Sequence, residues 1–203
     1  MKMKKRFSTE KKTDYYLIYT LAFGIIGLIL YLQFYLNGKS LIWSHDGVPQ
    51  HLNSLAYYGE YLRNILHSVF VEHKFEIPMW DMHIGYGSDI LTTLHYYVIG
   101  DPLTLLSVFV SPEKTEYLYA FLIFLRIYLA GIAFSRYCFY HRNSKQAVLL
   151  GSLIYIFAGW TIYAAMKHPY FANPMIYLPL ILLGIDKIYR KEKPYVFIWS
   201  VAL

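Results

Sequence analysis

YYLIYTLAFGIIGLILYLQFYL, residues 15–36, contains no charged side chain. At 1.5 Å per residue, an α-helix of this length crosses a hydrocarbon core of about 30 Å. The basic leader before it, MKMKKR, also fits a cleaved signal peptide. However, the apolar run exceeds the ~7–15 residues usual in signal peptides, and no small-residue cleavage site follows it. The stretch therefore predicts a retained first membrane-spanning helix, preceded by a basic cytoplasmic leader over residues 1–14.

The composition of the whole chain indicates a membrane protein. Of its 203 residues, 57% are hydrophobic and 16% are charged, which is too apolar for an ordinary soluble domain. The net charge of +6 could indicate a nucleic-acid partner, but the basic residues are concentrated at the ends of apolar runs. This distribution is typical of multi-pass membrane proteins. We therefore expect an all-α polytopic membrane protein with no nucleic-acid partner, and the single Cys138 cannot form an internal disulfide.

Further apolar runs predict additional spans. Three of them have the length of a full span, and a shorter one follows Pro194. The predicted spans are 116–138, 147–166 and 171–189, with a fifth beginning at 195. Residues 195–203 supply only about half of a span, so we expect the chain to be the N-terminal part of a longer protein.

Residues 90–110, ILTTLHYYVIGDPLTLLSVFV, have the length of a span, but a Gly-Asp-Pro turn interrupts their centre. Pro102 lacks a backbone donor and Asp101 is a good N-cap, so two short helices are expected, over 89–99 and 102–110. If this segment does not cross the membrane, thirteen Lys and Arg lie on the cytoplasmic side and five outside; if it crosses, the counts are eight and ten. The positive-inside rule favours the first arrangement, with a cytoplasmic N-terminus and a large extracytoplasmic loop over 37–115.

An amphipathic helix is predicted within that loop, over residues 49–71. Pro49 lies in its first turn, and apolar and polar side chains recur at helical spacing on opposite sides, which is typical of a helix lying in the membrane interface. The apolar side consists of Leu52, Leu55, Ala56, Leu62, Leu66 and Val69, and the polar side of Asn53, Tyr57, Glu60, Asn64 and His67.

Two acidic residues are candidates for catalysis. Asp46 lies just before the predicted helix N-terminus, where free amides favour an ionised carboxylate. It is either a solvated or capping loop residue or a general base that takes a proton from an acceptor hydroxyl at the membrane surface. Asp101 is either the N-cap after Gly100 or a second carboxylate that orients an acceptor or a metal.

Several basic residues are candidates for binding an anionic lipid headgroup or a metal. Arg126 lies within a span, where a charge costs about 2.5–3.5 kcal/mol on insertion scales. It either pairs with a neighbouring helix or binds a lipid phosphate in a fork. Lys167 and His168, at the outer end of the third span, either bind the same phosphate or snorkel to the interface. His45 and His51 are candidate ligands for a divalent cation, or else hydrogen-bonding loop residues, since no close metal-binding spacing occurs.

Motifs for nucleotide and hydrolase chemistry are absent from these residues. The sequence contains no GxxxxGK[ST], no GxGxxG and no Ser/His/Asp elbow. An outward-facing enzyme also has no cytosolic pool of nucleotide sugars. Any activated donor would therefore have to arrive on a lipid.

Six segments stand out by their order and spacing: HDGVPQH, IPMWDMHIGYGSDI, YYVIGDPLTLLSVFV, LAGIAFSRYCFY, GSLIYIFAGWTIY and HPYFANPMIYLPLILLGIDKI. Together they resemble the YfhO-type bacterial membrane protein family, from about residue 15 to 190. The resemblance implies a GT-C-like helical bundle with interfacial helices in its first outer loop. It also implies transfer of a sugar from undecaprenyl phosphate to a cell-envelope polymer, such as lipoteichoic acid, on the outer face of the bacterial plasma membrane. Asp46 matches the superfamily's acidic residue in that loop, and Asp101 matches a later acidic position.

Two functions from different classes are therefore expected. The first is an inverting glycosyltransferase with Asp46 as base, whose partners are membrane lipid, a polyprenyl-phosphate-linked sugar and the polymer acceptor. The second is a non-catalytic transporter or scaffold of the cell envelope, in which the acids line a path. Arg126 and the discontinuous segment 90–110 favour the second.

Overall fold

The computed structural model describes residues 10–202, and this part of the chain is almost entirely helical. Its α-helices, α1 to α8 in chain order, are Glu10–Leu36, Asn53–Phe70, Ile90–Leu94, Thr115–Tyr140, Lys145–Ile156, Gly159–Lys167, Asn173–Tyr189 and Tyr195–Ala202. The π-helical turns are Gly47–Leu52 and His95–Ile99, and the 3-10 helices are Pro102–Phe109, Pro112–Lys114 and Pro169–Ala172. A short antiparallel ladder pairs β1 (Trp80–Asp81) with β2 (Ser88–Asp89). Residues 1–9 of the predicted leader lie outside the described range.

Three helical segments are long and apolar enough to cross a membrane: Asp14–Leu36, Pro112–Tyr140 and Pro169–Tyr189. The bent pair of α5 and α6 brings the number to four if the two helices form one span. The prediction of an all-α polytopic membrane protein is thus confirmed. α1 begins at Glu10, ahead of the apolar run, because the charged residues before Tyr15 continue the same helix.

The predicted span over 147–166 is two helices rather than one. α5 and α6 are separated at Phe157 and Ala158 and meet at an angle of 45°. Ala158 has extended backbone angles (φ −60°, ψ 145°), which cannot continue an α-helix, and the Thr161 hydroxyl donates to the carbonyl of Tyr155 at 3.2 Å. A carbonyl freed by a break in an apolar environment needs such a partner. Hydropathy alone does not predict this break.

α4 is the central helix, since it packs against both α5 and α7. α1 is joined to it by tyrosines. The Tyr15 hydroxyl lies 2.7 Å from that of Ser135, and the Tyr19 hydroxyl donates to the carbonyl of Tyr128 at 2.9 Å. Gly131 leaves room for Tyr19, because a Cβ at this position would overlap its hydroxyl. Close approach at small residues and interhelical hydrogen bonds both hold helices together in a bilayer, where the hydrophobic effect does not.

The segment between α1 and α4 folds back on the bundle through α2. The 3-10 helix Pro102–Phe109 lies across α2, with the backbone of Ser107 against Gly59. Arg63 donates to the carbonyls of Ser107 at 3.0 Å and of Val110 at 2.6 Å. The last carbonyls of this short helix are thus bonded by a side chain of α2.

The predicted amphipathic helix over 49–71 is a π-helical turn, Gly47–Leu52, followed by α2. Its buried side includes Tyr58 and Tyr61, whereas Leu66, assigned to the apolar side, is 44% exposed. The buried face is rotated toward Tyr61, whose hydroxyl donates to the carbonyl of Pro78 at 2.9 Å, in the segment before β1. The short helices predicted over 89–99 and 102–110 lie at Ile90–Ile99 and Pro102–Phe109.

Replacing Gly59 with alanine is expected to destabilise the fold, although alanine favours helices. The added Cβ would lie 2.7 Å from the Ser107 carbonyl oxygen, so two backbones would have to move apart. Overpacking of this kind costs about 1–3 kcal/mol. Gly24→Ala is the matched control, because nothing lies within 4 Å of a Cβ added there, and helix propensity should stabilise it by up to about 1 kcal/mol. Thermal unfolding midpoints in detergent measure both variants, and equal midpoints would contradict the close contact.

Candidate functional site

The polar residues singled out in the sequence converge near one end of the bundle, called here the site end. α1 and α6 finish there, at Leu36 and Lys167, and α4 and α7 begin there, at Thr115 and Asn173. The π-helical turn Gly47–Leu52 follows α1 at this end. The site is therefore built from one short turn and the ends of several long helices, which fix its geometry.

Asp46 immediately precedes that π-helical turn. Its backbone carbonyl accepts from the amides of Gln50 at 3.1 Å and His51 at 3.2 Å. One side-chain oxygen, Oδ1, accepts from the side-chain amide of Gln50 at 3.1 Å. The other, Oδ2, lies 3.6 Å from Nε2 of His168. The side chain remains 36% exposed. Asp46 is thus oriented on two sides and keeps free lone pairs, as a general base requires.

His168 connects Asp46 with the buried His51. Nδ1 of His168 lies 3.0 Å from Nε2 of His51, so one of these two nitrogens carries the shared proton. Nδ1 of His51 is buried and has no hydrogen-bond partner in the described part of the chain, and a proton there would be an unsatisfied donor. We therefore assign the proton of neutral His51 to Nε2, from which it is donated to His168. The proton of neutral His168 then lies on Nε2 and faces Asp46.

The surroundings of His51 favour its neutral form. Burial is the main cause that lowers the pKa of His51 to about 4; the neighbouring His168 and Arg126 act in the same direction, and Asp46 opposes them. His51 therefore fixes the orientation of His168 without carrying a charge at neutral pH.

The free energy of unfolding should fall as the pH is lowered from about 6.5, the ordinary pKa of histidine, to about 4, the pKa of His51 in the folded protein. In this window the unfolded chain binds a proton that folded His51 excludes, at a cost of up to about 1.4 kcal/mol per pH unit. His51→Gln should flatten this dependence, whereas His45→Gln, at an exposed histidine, should not. Thermal midpoints between pH 7.5 and pH 4.5 are the measurement, and an unchanged slope in His51→Gln would contradict a buried neutral histidine.

Asp101 and Arg126, predicted for separate roles, are bonded to each other. Nη2 of Arg126 donates to Oδ2 of Asp101 at 2.6 Å, and the two side chains are only 2% and 4% exposed. Asn173 bridges them, accepting from Nε of Arg126 and donating to Asp101, both at 3.0 Å. The other oxygen of Asp101 accepts from the backbone amide of Leu103 at 2.9 Å. Asp101 is therefore also the N-cap of the 3-10 helix, one of the two roles that the sequence indicated. Each charge is thus neutralised inside the protein, which offsets the cost of placing arginine in a span.

This ion pair lies below the site end rather than at the surface. Counted along α4 at 1.5 Å per residue, Arg126 is about 21 Å from Tyr140, within a hydrocarbon core of about 30 Å. Tyr170 joins it to the histidines, since its ring lies 5.1 Å from Cζ of Arg126 and 5.5 Å from the ring of His51. Asp46 and Asp101 therefore belong to one polar region that descends from the site end into the bundle.

Lys167 is held by aromatic rings rather than by an acid. Its Nζ lies 4.2 Å from the ring of Trp43 and 4.4 Å from that of Tyr163. Trp43 also stacks on His45, with ring centres 5.0 Å apart. Contacts with aromatic rings do not neutralise an ammonium group, so it can still bind an anion.

The two candidate metal ligands have different partners. His45 stacks on Trp43, whereas His51 is bonded to His168. Over residues 10–202, no group of three or more His, Cys, Asp or Glu side chains is placed to hold a metal ion. A divalent cation bound by His45 or His51 stays a prediction.

Two apolar cavities meet at the site end. One, of about 640 Å³, lies between α1 and α4, and the other, of about 450 Å³, extends toward Trp43 and Lys167. They share Phe34, Lys39, Ser40 and Leu41. The acidic Glu116 lines only the first cavity, so the part nearest Lys167 has basic but no acidic lining. Together they form a groove, called here the α1/α4 groove, that leads from the lipid-facing side to the polar region.

A family model described as bacterial membrane protein YfhO matches residues 18–203. The chain belongs to the YfhO family. The resemblance identified in the sequence is thereby confirmed. No curated protein and no solved structure matches the chain.

Three residues that shape the YfhO-family site were missed in the sequence: Trp43, Tyr170 and Asn173. Tyr170 and Asn173 lie in HPYFANP, where polar and aromatic side chains stand between two prolines at a span end. That pattern could have identified Tyr170 and Asn173 as candidate site residues. Trp43 could not be distinguished from an ordinary tryptophan at a membrane interface.

Proposed function

We propose that this YfhO-family chain carries the catalytic end of a membrane glycosyltransferase. In this proposal, a sugar moves from undecaprenyl phosphate to a cell-envelope polymer, such as lipoteichoic acid, on the outer face of the membrane, within a GT-C-like helical arrangement. The observation that carries the proposal is Asp46: a partly exposed carboxylate beside His168, at the mouth of a polar region and next to an apolar groove.

The proposed reaction needs one base and one anion site. An acceptor hydroxyl oxygen attacks the anomeric carbon of the sugar, and the bond from that carbon to the phosphate oxygen breaks. Asp46 takes the hydroxyl proton as the new bond forms. Undecaprenyl phosphate leaves as a stable anion, so little general acid is required, and attack opposite the leaving group inverts the anomeric configuration.

The donor lipid is proposed to lie in the α1/α4 groove. Its prenyl chain would contact the apolar wall, which contains Phe23, Leu28 and Phe124. Its phosphate would be held by the ammonium groups of Lys167 and Lys39, which line the groove. His168, next to Lys167 in the chain, would add a neutral hydrogen-bond donor. Cations placed where phosphate charge develops supply the electrostatic stabilisation of the transition state.

Asp101 and Arg126 are proposed as positioning residues. The sequence predicted a catalytic acid and a lipid-phosphate ligand at these positions. In the fold each is already engaged by the other at 2.6 Å. A paired, 2% exposed guanidinium would have to break that bond to reach a phosphate. Their proposed role is to fix Asn173 and Tyr170, and through Tyr170 the histidines beside Asp46.

The proposal is tested by a transfer assay with the full-length protein in proteoliposomes. The donor is a synthetic polyprenyl phosphate that carries a radiolabelled sugar, and the acceptor is purified lipoteichoic acid. Label should move to the acceptor with inverted configuration. Label that stays on the lipid, or that is transferred only from a nucleotide sugar, would contradict the proposal.

A second candidate is a non-catalytic transporter or scaffold of the cell envelope. Two observations favour it: the ion pair of Arg126 within α4, and the break between α5 and α6. Transporters place broken helices and buried charges near their substrate sites. A transporter predicts passage of a labelled substrate across the proteoliposome membrane with no covalent transfer, and a scaffold predicts neither. The same preparation therefore separates these functions from the transferase.

A further inference from the structure

A separate cavity lies between α2 and the loop that carries β1 and β2. Its volume is about 490 Å³, within the ~300–1,000 Å³ typical of small-ligand sites. None of the residues that line it belongs to the Asp46 region or to the α1/α4 groove. The lining consists of Tyr57, Glu60, Tyr61 and Asn64 from α2, and Pro78, Trp80, Asp81, His83 and Ile90.

The loop wall of this cavity is held in place through Asp81. Oδ2 of Asp81 accepts from the Tyr57 hydroxyl at 2.6 Å, and Oδ1 accepts from the backbone amide of His83 at 2.8 Å. The hydrogen bond from Tyr57, followed by those from His83, lowers the pKa of Asp81 to about 2. The pairing of Trp80 with Asp89 fixes the same strand from its other side. The wall is therefore ordered, although it belongs to a long connecting segment.

Trp80 presents its indole to the solvent in a fixed orientation. The residue is 60% exposed, and its Nε1 donates to the sulfur of Met82 at 3.3 Å. Gly87 has a positive φ of 102° and passes beside the ring, where an added Cβ would lie 3.2 Å from Nε1. The ring is thus braced along one edge, and the rest of its surface stays open to a ligand.

The opposite wall offers polar groups that are not used within the fold. Glu60 and Asn64 lie one turn apart on α2, so their side chains are neighbours. Neither side chain bonds another described residue. A carboxylate accepts hydrogen bonds, and an amide both donates and accepts. They therefore complement hydroxyl groups, which do both.

We propose that this cavity, called here the sugar cavity, binds a neutral sugar ring. The ring would lay its C–H face on Trp80 and bond through its hydroxyls to Glu60 and Asn64. The carboxylates of Glu60 and Asp81 disfavour phosphate and other anions. An ammonium ligand would find only one free carboxylate, Glu60, because Asp81 is already bonded by Tyr57 and His83. Sugar binding here does not rest on the transferase proposal, since it requires no reaction at Asp46.

Saturation-transfer NMR with the full-length protein in nanodiscs tests the sugar cavity. The probes are methyl α-D-glucopyranoside, methyl β-D-galactopyranoside and N-acetylglucosamine, with glucosamine and glycerol phosphate for comparison. At least one neutral sugar should receive saturation, whereas glycerol phosphate should not. Trp80→Ala and Glu60→Gln should each weaken binding about tenfold or more. Trp160→Ala is the matched control, at a tryptophan on α6 that is 59% exposed, and should bind normally.

Three outcomes would overturn the sugar cavity: saturation of no neutral sugar, binding unchanged in Trp80→Ala, or binding of glucosamine alone that is lost at high salt. Thermal midpoints of each variant establish that it is folded. If Trp80→Ala does not fold, Trp80→Phe keeps a smaller aromatic face and should weaken binding less than Glu60→Gln does. Equal binding by wild type, Trp80→Phe and Glu60→Gln would again exclude the site.

Discussion

Replacing Arg126 with methionine is expected to lower the free energy of unfolding by about 3–5 kcal/mol. The substitution leaves Asp101, whose side chain is 4% exposed, as an unpaired charge in the interior of the bundle. It also removes one of the hydrogen bonds that hold Asn173 at the start of α7. Methionine has a similar length and no charge, so the loss comes from the broken pair rather than from a large cavity. Chemical or thermal unfolding of the full-length protein in detergent micelles is the measurement.

Two further variants separate this effect from a general response of α4. Arg136→Met makes the same substitution at an exposed position of the same helix and should change stability by less than about 1 kcal/mol. The double variant Arg126→Met with Asp101→Asn removes both charges and keeps an N-cap at position 101. It should recover a large part of the loss. If Arg126→Met were no less stable than Arg136→Met, the buried pair would not be a structural element of the fold.

Local features of the fold could be predicted from the sequence. The uncharged run that ends at Leu36 is part of a helix because twenty or more apolar residues leave a bilayer-spanning chain few alternatives. The break at Gly100 and the cap at Asp101 followed from proline lacking a backbone donor and aspartate accepting from free amides. These features depend on neighbours within a few residues, which a single sequence displays.

Features that depend on distant contacts could not be predicted. Asp101 and Arg126 were separately identified, but nothing in their spacing shows that they bond to each other or that Asn173 joins them. The rotated face of α2 has the same origin, since it depends on the contact of Tyr61 with Pro78 in the segment before β1. In the site, Asp46 was found from its position before a helix, whereas the orientation of His168 by His51 appears only in the folded chain.

Replacing Asp46 with asparagine is expected to reduce sugar transfer by about 10²–10⁴-fold, the contribution of a positioned general base. Asparagine has the same shape and can still accept from Gln50, which donates to Oδ1 at 3.1 Å. It cannot take a proton from the acceptor hydroxyl. The side chain is partly exposed and its bonds are few, so the free energy of unfolding should change by less than about 1 kcal/mol. Loss of transfer with retained stability is the combination that distinguishes a base from a structural loop residue.

Asp14→Asn is the matched control, because it makes the same exchange at an exposed position in the first turns of α1, at the opposite end of the bundle. The central claim is tested most directly by the initial rate of label transfer from polyprenyl phosphate to lipoteichoic acid, measured for wild type, Asp46→Asn and Asp14→Asn in the same proteoliposomes. Asp14→Asn should transfer at the wild-type rate, and Asp46→Asn at least about a hundredfold more slowly. A wild-type rate in a folded Asp46→Asn protein would show that Asp46 is not the base.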